Sequence, residues 1–353
     1  MTITDPICVV GLSAITAVGY SAAMTVASVR AGISMHSFHP FMVNTAAEPY
    51  KVCMLPPLDA GLTIEARLMA MTREITAQLL RLLPKSIDEV DFLMGLPMPR
   101  PGLPEAIESL MLETIETMEE SPSGLKLFTA AKGYVSGVYA MRSAIKRLES
   151  NSVEFCLVAG VDSYMNSDTL LWLDMTSQLH TQENPWGFIP GEAGAGCLVC
   201  RASTARAYDL PILAQLTAAT VAVEPDSDNF ENVCTGRGLS MAVEQAMEHL
   251  PQDAWVDNLL CDTNGQIYRT DELGFMLARH GNTIKNIGKM QTPAGAWGDV
   301  GAATTPLLLA LACAPGRGVL DRESYGLILA STGYIPPGLQ KQGERGALLI
   351  QRR

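Results

Sequence analysis

Chemistry in this chain has to come from thiols, imidazoles, carboxylates or phenols, and the sequence offers each in a different arrangement. There are eight cysteines: Cys8, Cys53, Cys156, Cys197, Cys200, Cys234, Cys261 and Cys313. A thiolate is a strong nucleophile once a helix N-terminus or a nearby cation lowers its pKa. Most of these cysteines sit instead in apolar runs such as FCLVAG and GAGCLVC, where Cys behaves as a small buried hydrophobe. Cys197 and Cys200 form a CxxC pair, yet no second pair or His cluster completes a zinc site, and on a strand the two side chains point to opposite faces. The five histidines, His36, His39, His180, His249 and His280, are dispersed. His36 and His39 lie in a loop with no third ligand, so no metal is expected. Asp262 and Asn264 share the turn DTNG. Such groups can do acid–base work, and the same residues are ordinary turn formers. No GxGxxG opens a helix after a strand and no Walker loop is present, so no cofactor is expected.

These residues need elements to place them. Short apolar runs bounded by turn residues predict strands at Ile7–Gly11, Val90–Met94, Phe155–Gly160, Ala195–Cys200, Ile212–Ala218, Asn258–Cys261, Gly326–Ala330 and Ala347–Ile350. Between them, apolar residues at helical spacing predict helices over Ile64–Leu83, Val135–Leu148 and Leu239–Leu250. Ala302–Ala314 is apolar nearly all round and predicts a helix buried on every side. Alternating strands and helices imply an α/β protein with helices covering mixed sheets. The order of elements repeats in two halves, 1–205 and 206–353, which suggests a structural duplication.

Length and composition set further bounds. The chain has 353 residues, 48% apolar and 18% charged, enough for a sizeable core. A net charge of −12 argues against nucleic-acid binding. Before Arg30 the chain carries Asp5 but no Lys or Arg, unlike a signal peptide. The longest apolar run, Pro306–Pro315, is too short to span a bilayer. A cytoplasmic location is the expectation.

Several segments, taken in order, resemble the β-ketoacyl synthases of the thiolase superfamily. The opening ICVVGLSAITAVGYSAAMTVASVRAGIS matches their first strand, loop and helix at Gly11, Ser13, Thr16, Gly19, Arg30, Ala31, Gly32 and Ser34. SGVYAMRSAIKRLESNSVEFCLVAGVDS resembles the nucleophile helix and the strand after it. NPWGFIPGEAGAGCLV is close to the most specific family segment, through Gly187, Phe188, Gly191, Glu192, Gly194 and Gly196. CTGRGLSMAVEQAM and WGDVGAA resemble two later segments, while the last family loop survives only as Ser331-Thr332-Gly333. The resemblance implies the thiolase-like fold, with duplicated α-β-α-β-α layers and mixed five-stranded sheets.

Condensation in that family needs a Cys at a helix N-terminus and two further groups, His-His or His-Asn, to stabilise the developing charge. Counting from the matched residues puts Tyr134 at the nucleophile position, Asn264 at the first His position, and Gly298 or Asp299 at the second. The companion Lys falls near Pro293. None of the five histidines falls on a motif position. Tyr134 can be read as a phenol activated by Lys132 and the helix dipole, or as a ring that fills and seals the old pocket. Asn264 can still donate to a carbonyl, or simply serve its turn. Asp262 and Asp299 are candidates to face the same cleft, and Cys261 is the cysteine nearest it. Phe188, Trp186, Trp297 and Gly333 are expected to line it. Lys132, Arg142, Lys146 and Arg147 put basic charge around the nucleophile helix, suited to an acidic carrier or equally to a solvated face.

The expected function is that of a ketosynthase-like protein without the condensing machinery, a non-condensing homologue or partner subunit in fatty acid or polyketide-type metabolism. The alternative is an acyltransferase, thioester hydrolase or decarboxylase with a non-Cys site. The expected partners are its own copy or an active ketosynthase, joined through the strand at Leu127–Ala131, and an acyl carrier protein or acyl-CoA.

Overall fold

In the computed structural model, residues 5–225, 234–314, 323–332 and 343–352 are described. The strands are β1 (Ile7–Ile15), β2 (Ser37–Val43), β3 (Pro49–Val52), β4 (Glu89–Leu96), β5 (Gly124–Ala131), β6 (Phe155–Ser163), β7 (Glu192–Arg201), β8 (Ala214–Glu224), β9 (Val256–Cys261), β10 (Tyr325–Ser331) and β11 (Gly343–Arg352). The helices are α1 (Ala22–Arg30), α2 (Ile64–Leu80), α3 (Ile107–Glu116), α4 (Ser136–Glu149), α5 (Ser167–Met175), α6 (Ala202–Ala207), α7 (Arg237–Met247), α8 (Ile267–His280), α9 (Ala294–Trp297) and α10 (Thr304–Cys313).

All eight predicted strands are present, because each is an apolar run short enough to be a strand and hydrophobic on both faces. β1, β4, β6 and β7 are buried almost throughout, as strands covered by helices on both sides must be. Cys197 and Cys200 of β7 enter two different apolar clusters, as the alternation of a strand requires. The hairpin β2–β3 and the helices α3, α5 and α8 lie outside the expected elements; α5 lacks a clear apolar stripe, whereas α3 and α8 are amphipathic.

Nine strands form one sheet in the order β5-β4-β6-β7-β1-β8-β11-β10-β9. The pairing repeats on either side of a junction. β4 and β6 are parallel while β6–β7 and β7–β1 are antiparallel. β9 and β10 are parallel while β10–β11 and β11–β8 are antiparallel. The two sets join where Cys8 and Val9 of β1 pair with Gln215 and Ala214 of β8. Two mixed sheets therefore run together along one seam.

Helices fill three layers. α2 covers β1, β6 and β7 from outside, with α3 against it; α7 covers β8 and β11, with α8 against it. α4 and α10 touch strands of both sets and lie between them. That explains α10, whose ten residues are all buried. Pro306 is tolerated there because it is the third residue of the helix, where its missing N–H has no partner to lose. α4 packs against α10 so closely that a Cβ on Gly137 would lie 2.6 Å from Cβ of Thr305.

Candidate functional site

The site forms where the ends of β5, β6, β9 and β10 approach the start of α10. After β5, Lys132 leads into a short 3-10 turn, Gly133–Val135, and then into α4. Tyr134 is thus held one step before a helix N-terminus. Its carbonyl accepts a hydrogen bond from Thr305 Oγ1 at 3.0 Å, which ties the turn to α10. Asp299 comes from the turn between α9 and α10. Gly298 makes that turn with φ of 79°, and a Cβ there would lie 3.0 Å from Cβ of Cys53. Gly301 also has a positive φ, and a Cβ there would collide with the Asp162 carboxylate. Two glycines are therefore required to bring Asp299 into place.

Asp299 is the hub. Tyr134 donates to its Oδ2 at 2.9 Å and Tyr164 donates to its Oδ1 at 3.2 Å. Asn264 Nδ2 donates to Oδ2 at 2.5 Å, and the Gly301 N–H donates to Oδ1 at 3.1 Å. The two phenol oxygens are 3.0 Å apart. A second layer of ion pairs holds this centre. Arg269 donates from Nη1 to Asp262 at 2.7 Å and lies over the Tyr134 ring at 4.3 Å. Arg100 donates from Nη2 to Asp162 at 2.6 Å and lies over the Tyr164 ring at 4.4 Å. Phe188 packs on Tyr164, with ring centroids 5.6 Å apart. Gln266, beside Asn264, donates to Gln178 Oε1 at 2.6 Å.

Burial, then the Asp299 carboxylate, push the Tyr134 and Tyr164 phenols well above their ordinary value of 10.0. Arg269 pulls Tyr134 back without reversing the shift. The activated-phenol reading of Tyr134 therefore meets an opposing field, and Lys132 does not relieve it, since its ammonium pairs with Glu344 at 3.3 Å. A raised folded-state pKa means that above pH 10 the unfolded chain releases phenol protons that the folded chain retains. Stability then falls as pH rises through 10, with a slope of about 1.4 kcal/mol per pH unit per tyrosine. We expect urea midpoints to fall above pH 10 and the double variant Tyr134→Phe/Tyr164→Phe to fall less steeply. Equal slopes would mean that these two phenols ionise freely in the fold.

Seven of the cysteines are also unactivated. Cys261 ends β9 and bonds to Thr263 Oγ1 at 3.3 Å; burial raises its thiol to about 11. Cys53, beside Gly298, is raised to about 12 by burial. Burial is likewise the largest cause of the upward shifts of Cys156, Cys200 and Cys313 to about 12, of Cys234 to about 11, and of Cys197 well above its ordinary value. No histidine of the described residues enters the network around Asp299. His39 is buried and accepts from the Phe41 and Met42 N–H groups.

The sequence candidates thus divide. Tyr134, Asn264 and Asp299 meet directly, and Asp262 adjoins them through Arg269. Between the alternatives at the second His position, Asp299 supplies the side chain and Gly298 the turn. Trp297 is buried and lines the same space; Phe188 is buried one residue behind it, against Tyr164. Trp186 does not line the cleft: it is 61% exposed, because the turn before Gly187 carries it to the surface. Gly333 lies outside the described residues. The basic group also separates. Lys132 is paired, Arg147 binds Asp91 at 2.7 Å, and Arg142 and Lys146 remain exposed. Tyr164, Arg100 and Arg269 were missed by the sequence reading. Tyr164 directly follows the Asp162-Ser163 end of β6, and an aromatic at a strand end facing a turn was the available signal.

Among the described residues, the space beside Asp299 is small. Tyr134, Cys261, Asp262, Pro293, Trp297 and Asp299 enclose a void of about 10 Å³, the size of one water at most. A larger surface groove of about 390 Å³, beside β3, is lined by none of these residues. Among the described residues Glu224, Cys234 and Glu272 bring ligand atoms within 4.8 Å of one another. Arg345 donates to Glu272 at 2.5 Å and the Gly238 N–H to Glu224 at 2.7 Å, so both carboxylates have structural partners. No described helix is long and apolar enough to cross a membrane.

No protein-family profile matches the sequence, and no curated protein matches it. Solved structures do match. One is a chain from a type II polyketide synthase acyl-carrier protein in complex with its ketosynthase, bound to the hexaketide. It agrees with a TM-score of 0.74 at 11% identity, over 99% of either chain. The ishigamide ketosynthase/chain length factor agrees with a TM-score of 0.68 at 18% identity, over 98% of this chain and 99% of that one. The Streptomyces albus oxazolomycin ketosynthase domain agrees with a TM-score of 0.70 at 14% identity, over 99% of this chain and 74% of that one. The polypeptide therefore has the thiolase-like α/β fold of the ketosynthases.

Proposed function

We propose that this protein is a non-condensing ketosynthase homologue that works by associating with a second ketosynthase-fold chain, in the manner of a chain length factor. One observation carries the reading: the turn before α4 presents a neutral phenol locked onto Asp299, over a void of about 10 Å³. A condensing site needs an ionisable thiol and room for an acyl chain. Acyl transfer or thioester hydrolysis from Tyr134 finds less support, because its phenol is held protonated. Asp262, engaged by both Arg269 and the Ser331 N–H, is also poorly placed for proton transfer.

Association has a surface to use. β5 ends the sheet, so its outer edge has no strand partner among the described residues. An open edge of this kind templates pairing with another chain. The two halves, 1–205 and 206–353, are read as an internal duplication on the strength of the repeated strand pairing. Lys126 on β5 itself and Arg142 and Lys146 on α4 are exposed cations, and would be the contacts for an acidic carrier.

The test is native mass spectrometry of the chain alone and co-expressed with an active ketosynthase, beside a Thr129→Pro variant that disrupts the β5 edge. A dimer that the variant loses is expected. A chain that stays monomeric in both settings would remove the proposal. Intact mass after incubation with acyl-CoA addresses the alternative: a covalent adduct absent from Tyr134→Phe would show an acyl-enzyme.

A further inference from the structure

Arg269 is 2% exposed, yet among the described residues only one of its three nitrogens has a hydrogen-bond partner. Nη1 donates to the Asp262 carboxylate and to its carbonyl at 3.3 Å. Nε and Nη2 are buried with no partner. Those two nitrogens form the side edge of the guanidinium, whose parallel N–H bonds match the two oxygens of a carboxylate. Two neighbouring hydroxyls are in the same condition: Tyr268 Oη and Thr332 Oγ1 are buried and without partners. The groups are physically joined. Tyr268 precedes Arg269, whose Cζ lies 6.0 Å from the Tyr268 ring centroid, and it feels the charges of Arg269, Arg345, Glu272 and Asp262. Thr332 follows Ser331, whose N–H donates to Asp262 Oδ2 at 2.6 Å, and its carbonyl accepts from Arg345. Arg269 also stands in the first turn of α8, whose N-cap makes no side-chain bond, so the helix end adds partial positive charge.

Buried donors on a cation are rarely left unmet, since the unmet state is costly. We infer that the Nε/Nη2 edge of Arg269, with the hydroxyls of Tyr268 and Thr332, is a binding site for the carboxylate of a small organic acid or of an acid-terminated chain. Tyr134 covers it. The Tyr134 ring lies over the guanidinium and keeps partial exposure to solvent. A ligand therefore enters as that ring swings away. The inference goes beyond association, and because binding is read on the isolated chain, its outcome is independent of any partner.

The experiment uses the full chain and isothermal titration at constant ionic strength, with acetate, adipate, inorganic phosphate and chloride as probes. Acetate is expected to bind saturably, and Tyr134→Ala to tighten it at least tenfold by uncovering the site. Arg269→Lys in the Tyr134→Ala background is expected to lose that gain, because an ammonium cannot offer the paired edge. Should Arg269→Lys fail to fold, Tyr268→Phe in the same background, which removes one hydroxyl, is expected to weaken binding several-fold. Adipate binding more tightly than acetate identifies the end of a longer chain as the ligand, and equal binding identifies a free small acid. Phosphate or chloride matching acetate, or acetate binding unchanged in the Arg269→Lys and Tyr268→Phe variants, would overturn the site. A crystal soaked in acetate that shows only water at Nε and Nη2 would overturn it as well.

Discussion

Asp299→Leu is expected to destabilise the protein by about 3–5 kcal/mol, the range for stranding the partners of a buried charge. Leucine has nearly the same shape, so the loss comes from unmet donors rather than from a cavity. Tyr134, Tyr164, Asn264 and the Gly301 N–H all lose their acceptor together. Each unmet buried donor costs about 1–3 kcal/mol, reduced where the side chain can turn to solvent. Tyr134 and Asn264 have that freedom, being partly exposed, whereas Tyr164 is buried. The loss should therefore be non-additive: Asp299→Leu in a Tyr134→Phe/Tyr164→Phe background should cost markedly less than alone, because two of the donors are gone. Urea denaturation reads both values. A cost of Asp299→Leu below about 1 kcal/mol would show that Asp299 is not the hub of the network.

The second large effect belongs to Arg67. Its guanidinium on α2 and the Glu192 carboxylate at the start of β7 are both fully buried, with Nη1 2.9 Å from Oε1. Glu192 also accepts from the Leu55 N–H and Ser163 Oγ, and Arg67 donates to the Asp59 carbonyl. The pair thus fastens α2 and the loop between β3 and α2 to the sheet. Arg67→Met should cost about 3–5 kcal/mol at neutral pH, because Glu192 is left charged in the interior. Arg67→Met/Glu192→Gln should recover part of it. The pH dependence follows from the direction of the Glu192 shift. Burial, partly opposed by Arg67, holds its carboxyl above the ordinary 4.5, and loss of Arg67 raises it further. A folded carboxyl that binds its proton more tightly than the unfolded one gains stability as pH falls through its folded pKa. The deficit of Arg67→Met should therefore shrink between neutral pH and 4.5. A deficit that grows on acidification would mean that Glu192 is not charged and buried in the variant.

Both effects arise in segments the sequence marks unequally. Glu192 stands in GEAGAG, the most specific motif of the chain, while Arg67 lies in an amphipathic helix on which nothing distinguishes it from a surface cation. A buried arginine on a helix can be recognised only once its partner is known, and here that partner is 125 residues away.

The sequence alone fixed what depends on composition and local period. Apolar runs of strand length had to become buried strands, and an all-apolar Ala302–Ala314 had to become an interior helix, because burial is the only stable state for such segments in water. It also carried the reading of Tyr134 and Asn264 at the motif positions, since residue identities need no coordinates to be noticed. Tertiary structure decided the rest. Tyr134, Tyr164 and Asp299 lie 135 and 165 residues apart in pairs, and no local pattern encodes which polar groups will share a buried centre. Only the crossing of β5, β6 and the start of α10 brought them together, and burial then pushed the Tyr134 phenol further above its ordinary value. The same folding that buried Arg269 left its outer edge without a partner among the described residues, and that depends on where the neighbours lie in three dimensions.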